Sequence, residues 1–146
     1  MKTLFLLALT LSASAHAETA LEHNKRIVRE FYDQAFNQHQ PVEAAMKYLR
    51  EDYKQHNPHV ADGRKGFIDA FANPTEPDES VTNFKRFIAE DDLVMVHSHG
   101  IDHPNDPKDR GVAVVDIFRV QGDLITEHWD VGQKVPETSK NSNGMF

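Results

Sequence analysis

Apolar side chains recur at three- and four-residue spacing in three stretches of the first half of the chain. These stripes are Leu21, Ile27, Val28, Phe31, Tyr32, Ala35 and Phe36, then Val42, Ala45, Met46 and Leu49, and then Phe67, Ile68 and Phe71. Such spacing predicts three amphipathic helices. We expect the first to end within residues 37–40 and the second to run from Pro41 to about Arg50. The third should cover Lys65–Ala72, because Asn73 and Pro74 follow it.

The second half of the chain changes to short runs rich in Val, Ile, Phe and Trp, separated by Gly, Asp, Asn and Pro. This composition predicts strands. The four predicted strands are Phe84–Ala89, Leu93–His99, Gly111–Val120 and Leu124–Val131. Gly122 and Asp123 fit a two-residue hairpin turn between the last two strands. Helices followed by an antiparallel sheet are typical of the α+β class.

The first residues of the chain carry the pattern of an export signal. Lys2 precedes an apolar run over residues 4–11, and small residues then lead to Ala15-His16-Ala17. This order predicts a signal peptide over residues 1–17, cleaved after Ala17. The run is shorter than the roughly 20 apolar residues that a membrane helix needs. We therefore expect a periplasmic or secreted protein without a membrane anchor.

The remaining sequence has the size of one domain, over residues 18–136, followed by a polar tail over residues 137–146. The formal net charge of the chain is −7, which argues against nucleic acid and anionic membranes as partners. The chain has no cysteine, so neither a disulfide nor a lipid anchor on cysteine is available.

An acidic residue interrupts the apolar pattern of the third predicted strand. With a two-residue turn, Phe118 is predicted to pair with Glu127 and Asp116 with Trp129. Asp116 then shares one face with Val114, Phe118 and Trp129. Apolar surroundings disfavour the charged form and raise the pKa of a carboxyl group, which suits proton transfer. The alternative is a half-exposed edge residue paired with a Lys or Arg.

Histidines mark two other regions. His97 and His99 are two residues apart in a predicted strand and so point to the same face. They could be a proton-transfer pair, solvent-facing residues, or, with His56 and His59, part of a zinc site. Because this spacing matches no compact metal motif, we predict no bound metal.

The segment 52–66 is polar and contains Tyr, Gln, His and Asn between two predicted helices. A stretch of this kind buries little apolar surface. It is therefore interpreted as the rim or floor of a pocket, with a polar surface turn as the equally good alternative.

Four segments together resemble the SnoaL-like polyketide cyclase group of the NTF2-like superfamily. They are Tyr53 to Pro58, His97 to His99, Val115 to Val120 and Glu127 to Val131. The resemblance implies an NTF2-like cone, in which a curved antiparallel sheet and about three N-terminal helices enclose a pocket. It also implies that copies of the chain pair as a homodimer through the outer sheet face.

For the site, the resemblance implies general acid/base chemistry by Asp116, assisted by His99 or His97, with no cofactor or metal. The residues that would contact a substrate are Tyr53, His56, Asn57, Phe118 and Trp129. Two functions follow as hypotheses. The first is an enzyme that abstracts a proton next to a carbonyl, for aldol-type cyclisation or isomerisation. The second is a module that only binds a small apolar or carbonyl-bearing molecule.

Overall fold

Three helices pack on one face of a five-stranded sheet in the computed structural model, which describes residues 18–74 and 77–146. The helices are α1 (Ala20–Tyr32), α2 (Pro41–Tyr48) and α3 (Gly63–Phe71), and a π-helical turn, Asp33–Asn37, extends α1. The strands are β1 (Leu49–Gln55), β2 (Val81–Glu90), β3 (Leu93–Ile101), β4 (Val112–Gln121) and β5 (Leu124–Lys134). The predicted signal peptide lies outside the described residues. No described helix is long and apolar enough to cross a membrane.

Two of the helices begin at residues that suit a first helical turn. The Thr19 hydroxyl accepts a hydrogen bond from the Glu22 N–H at 3.3 Å, which satisfies one of the free donors of the first turn of α1. Pro41 occupies the first turn of α2, where a proline costs no hydrogen bond. The three predicted helices are confirmed, although α2 ends at Tyr48 because the chain enters β1 at Leu49.

The sheet has the strand order β1-β5-β4-β3-β2, and only β1 runs parallel to its neighbour. The four strands predicted from sequence are present with slightly different ends, and the α+β class is confirmed. β1 was not predicted. Only Leu49 and Tyr53 of β1 are buried, four residues apart across an irregularity in the pairing, so the strand lacks clear alternation. Part of the predicted polar rim is therefore a sheet strand.

The β4–β5 hairpin turns at Gly122 as predicted, and Gln121 pairs with Leu124. The pairing predicted further from the turn is wrong. Arg119 pairs with Glu127 but Val120 pairs with Ile125, so Thr126 is an extra residue in a β-bulge. A one-residue shift reverses the face of every side chain beyond it. Phe118 consequently pairs with His128, and Asp116 pairs with Asp130 rather than Trp129.

The core lies between the helices and the inner sheet face. Phe31 of α1 is buried and contacts the rings of Tyr48, Phe67 and Phe118. Full burial of an aromatic side chain of this size contributes about 1.5–3 kcal/mol, so these contacts hold α1 against the sheet. The same packing sets the distance between the helices and the polar part of the inner face.

Candidate functional site

A cavity of about 720 Å³ lies between the helices and the inner sheet face. Seven aromatic side chains contribute to its walls, and one cluster of its polar groups lies on β4, β5 and the end of β1 with the turn that follows it. The aromatic lining residues are Phe31, Tyr32, Phe36, Tyr53, Phe67, Phe71 and Phe118. This polar cluster consists of Gln55, Asn57, Asp116, His128 and Asp130. Apolar walls with a few convergent polar groups are the usual form of a small-molecule site.

Asp116 of β4 is the central polar group of the cavity and is only 2% exposed. Its Oδ2 accepts a hydrogen bond from the Tyr32 hydroxyl, and its Oδ1 lies 3.0 Å from His128 Nε2. Burial raises the pKa of Asp116, although the bonds to His128 and Tyr32 oppose this shift. The prediction of a buried carboxyl group with a raised pKa is confirmed, and among the described residues no Lys or Arg pairs with it.

Gln55 fixes the proton position on the His128 ring. The backbone N–H of Asn57 donates to Gln55 Oε1 at 3.0 Å, which identifies this atom as an acceptor. His128 Nδ1 lies 2.8 Å from the same oxygen and must therefore carry a proton. The contact between His128 Nε2 and Asp116 then holds one shared proton. The pair is either a carboxylate with an imidazolium or a carboxylic acid with a neutral imidazole.

A second carboxylate lies beside this pair. Asn57 Nδ2 donates to Asp130 Oδ2 at 2.7 Å, and Asn57 Oδ1 accepts the His59 N–H, which fixes the amide orientation. The charge of Asp130 adds to the raised pKa of Asp116. Asp116, His128 and Asp130 offer ligand atoms within 4.8 Å of one another, so within the described chain these three residues could hold a metal ion.

Tyr53 supplies a hydroxyl with a free proton. The oxygen of this hydroxyl accepts a hydrogen bond from Gln55 Nε2 at 3.3 Å, and its own proton has no acceptor among the described residues. Burial and the nearby Asp116 raise the pKa of Tyr53, so the hydroxyl stays protonated. It can therefore donate to an oxygen atom of a ligand in the cavity.

His97 and His99 lie on the outer sheet face, so the expectation that one of them faces the pocket is wrong. Val96 pairs with Asp116 and is buried, which turns both histidines to the opposite side of β3. His97 Nδ1 lies 2.6 Å from an Arg86 nitrogen, and His99 Nε2 lies 2.8 Å from the Arg110 carbonyl oxygen. The buried alternation of Val94, Val96 and Ser98 was the signal that would have placed them outside.

The five predicted substrate contacts divide into two groups. Tyr53, Asn57 and Phe118 line the cavity. His56 and Trp129 lie outside it and stack on each other with ring centroids 4.8 Å apart, while His56 Nε2 contacts Glu127 at 2.9 Å. Trp129 lies outside the cavity because the bulge at Thr126 turns its side chain to the outer sheet face. The four histidines considered for zinc are not brought together.

The sequence-based hypothesis missed four residues of the site. They are Tyr32, Gln55, His128 and Asp130. His128 and Asp130 are alternate residues of one strand, and their shared face could be read from sequence. Whether this shared face is the inner or the outer face of the sheet depends on the bulge at Thr126. Tyr32 and Gln55 gave no signal, because their partners are far away in the chain.

Comparisons with known proteins identify the family. The sequence model of the SnoaL-like domain matches residues 28–128. No curated protein sequence matches the chain. Among solved structures, an LEH-like epoxide hydrolase of M. tuberculosis is similar with 15% identity and a TM-score of 0.66, covering 79% of this chain and 86% of that one.

Two further structures are similar over most of the chain. A Bacillus cereus protein assigned to the polyketide cyclases has 18% identity and a TM-score of 0.63, with 76% of this chain and 74% of that one covered. An NTF2-like protein of unknown function from Mesorhizobium loti has 20% identity and a TM-score of 0.61, with 81% and 97% covered. Identities this low carry the fold and not the reaction. The predicted family and the NTF2-like fold are confirmed.

Proposed function

The chain belongs to the SnoaL-like family, and from that premise we propose that it catalyses acid/base chemistry next to a carbonyl group without a cofactor. The reaction would be an isomerisation or an aldol-type cyclisation of a small molecule. One observation carries the proposal: the Asp116 carboxyl is buried in an aromatic cavity between His128 and Tyr32. A carboxyl group in such surroundings has a pKa moved towards the range in which it can exchange protons with a carbon acid.

The proposed step uses three side chains. Ionised Asp116 takes a proton from the carbon next to the carbonyl, and the C–H electron pair becomes the C=C bond of an enolate. The Tyr53 hydroxyl donates a hydrogen bond to the enolate oxygen, where negative charge develops. His128 stabilises Asp116 in its ionised form. In an isomerisation Asp116 returns the proton to a different carbon, and in a cyclisation the enolate carbon attacks a second carbonyl, whose oxygen takes the proton.

The roles differ from those implied by the family resemblance in one respect. The group that polarises the carbonyl was expected to be His97 or His99, and both lie outside the cavity. Tyr53 is the better candidate because it lines the cavity and its hydroxyl proton has no acceptor among the described residues.

Hydrogen exchange in D₂O tests this proposal without knowledge of the natural substrate. A panel of cyclic ketones is incubated with the protein, and loss of the proton signals next to the carbonyl is followed by NMR. We expect catalysed exchange with some members of the panel, and a loss of roughly 100-fold in Asp116→Asn. His99→Gln serves as the control because this residue lies on the outer sheet face. Exchange that is absent throughout, or equal in wild type and Asp116→Asn, would contradict the reaction.

A non-catalytic binding module is the second candidate. Both carboxylate oxygens of Asp116 already have partners, and no described buried side-chain nitrogen or oxygen is without one. Such pairing also suits a pocket that only orients a ligand. In that case ketones or related ring compounds bind in the cavity, and Asp116→Asn changes affinity while no exchange is seen at any pH.

Export remains part of the proposal. The support is the order of charge, apolar run and small residues up to Ala17. Mass spectrometry of the protein recovered from the periplasm of a Gram-negative host should show a chain that begins at Glu18. A chain that retains Met1 in that fraction would contradict cleavage.

A homodimer is proposed through the outer sheet face. Ile88 is 53% exposed and Val131 is 71% exposed on this face, and Ile117 lies half-buried between them on β4. Apolar side chains in such a position are typical of a surface that another copy covers. Light scattering should give twice the mass of one chain, and Val131→Lys should shift the protein to monomers. A wild-type protein that is monomeric at every concentration would contradict the dimer.

A further inference from the structure

Acidic residues dominate the charged groups that line the cavity. Five carboxylates and no lysine or arginine occur among its described lining residues. The five acids are Asp78, Glu79, Asp102, Asp116 and Asp130. The lining histidines are His128, which is bonded to Asp116, and the exposed His103. Asp116 and His128 share one proton and together carry no net charge, so the negative field comes from the other four acids. A concave apolar wall concentrates this field and gives the cavity a negative potential.

Two arginines on elements that border the cavity make contacts elsewhere. The Arg29 guanidinium lies over the Phe87 ring at 3.9 Å. Arg119 is held on the outer side by Asp92 and Glu127. An anionic ligand would therefore lose its water shell in the cavity without gaining a lysine or arginine partner among the described lining residues, which disfavours its binding.

Asp130 provides a place for a cation. It is half-buried, lines the cavity, and among the described residues its only hydrogen-bond partner is the Asn57 amide. Asp116, the acid next to it, is already bonded to His128 and Tyr32. A protonated amine on the ligand could pair with Asp130 while the ring body of the ligand contacts the aromatic walls. The faces of these aromatic rings also attract cations.

We propose that the cavity takes a molecule with an apolar ring body and a protonated amine, and that it rejects carboxylates and phosphates. This inference rests on the proposed function in one point, that the same cavity is the ligand site. It does not depend on any reaction, because it concerns binding alone. If the inference is correct, the carbonyl-bearing substrates of the proposed reaction are uncharged or cationic molecules, and cationic ones bind best.

Three probes of one shape and different charge test the proposal. 2-Naphthylmethylamine is cationic, 2-naphthylmethanol is neutral and 2-naphthoate is anionic at neutral pH. Calorimetry measures the affinity of each probe. We expect the amine to bind about tenfold more tightly than the alcohol. The carboxylate should bind more weakly than either of them. The advantage of the amine should shrink when the ionic strength rises from about 0.05 M to about 0.5 M.

Asp130→Asn should remove the advantage of the amine over the alcohol, because the substitution keeps the side-chain shape and removes the charge. Asp69→Asn on the exposed surface of α3 is the matched control and should behave like wild type. Equal affinities for all three probes, tighter binding of the carboxylate, or no binding of any probe would overturn the proposal. An unchanged preference in Asp130→Asn would overturn the assignment of the cation to that residue.

The two proposals fail separately. If D₂O exchange is absent while the amine is preferred, the reaction is wrong and the charge selection stands. If exchange is present but the three probes bind alike, the reaction stands and the charge selection is wrong.

Discussion

The inner and outer faces of the sheet use the same residue types in different surroundings. On the inner face, His128 is 7% exposed and its two nitrogens contact Asp116 and Gln55. On the outer face, His97 and His99 are partly exposed, each with one nitrogen bonded and both rings against Phe146. The histidines of the two faces differ in burial. The low dielectric around His128 strengthens its contacts, and burial raises the pKa of its partner, the Asp116 carboxyl group.

The largest contrast between the two faces is expected in activity. His128→Gln removes the group that shares a proton with Asp116 and should lower exchange of ketone protons by roughly 100-fold. His97→Gln makes the same change on the outer face and should leave the rate within about twofold of wild type. NMR exchange rates check both variants. A larger loss in His97→Gln than in His128→Gln would reverse the assignment of the faces.

A smaller effect is expected from Gln55, which positions the His128 ring without contacting the reacting atoms. Gln55→Leu removes the acceptor for His128 Nδ1–H and should allow the proton to move to Nε2, with a loss of about tenfold in rate. The ¹⁵N shifts of the ring report this change of tautomer, which a purely structural role would not produce. Gln121→Leu in the hairpin is the control. Unchanged ring shifts in Gln55→Leu would contradict a positioning role.

The smallest effect concerns stability. The folded-state pKa of Asp116 is raised, so its contribution to stability is fully present below the unfolded pKa of about 3.9 and is lost as pH rises through the folded pKa. Asp116→Asn should therefore match wild type near pH 4 and be equally stable or up to about 1 kcal/mol more stable at pH 7. The neutral amide can donate to His128 and accept from Tyr32.

Urea unfolding at the two pH values measures this difference. A variant that is several kcal/mol less stable at pH 7 would show that Asp116 is needed to hold the fold. His99→Gln, measured in parallel, should stay within about 0.5 kcal/mol of wild type at both pH values, as is usual for surface substitutions.

Parts of the fold with strong local patterns were predictable. The apolar spacing from Leu21 to Phe36 located α1, and the Val-rich runs located β3 and β4. β1 escaped because Arg50, Glu51, Asp52 and Lys54 outnumber its two buried residues. Its position is decided by parallel pairing with β5, which starts about seventy residues later in the chain.

The sequence by itself determined the helices, four of the five strands, the hairpin turn at Gly122 and the burial of Asp116. These depend on neighbours within a few residues, where side-chain period and turn chemistry act directly. Only the tertiary structure decided which groups meet Asp116. One extra residue, Thr126, turns His128 and Asp130 inward, and Tyr32 approaches from α1, 84 residues away in the chain. Bulges and long-range contacts arise from packing of the whole domain, so no local pattern specifies them.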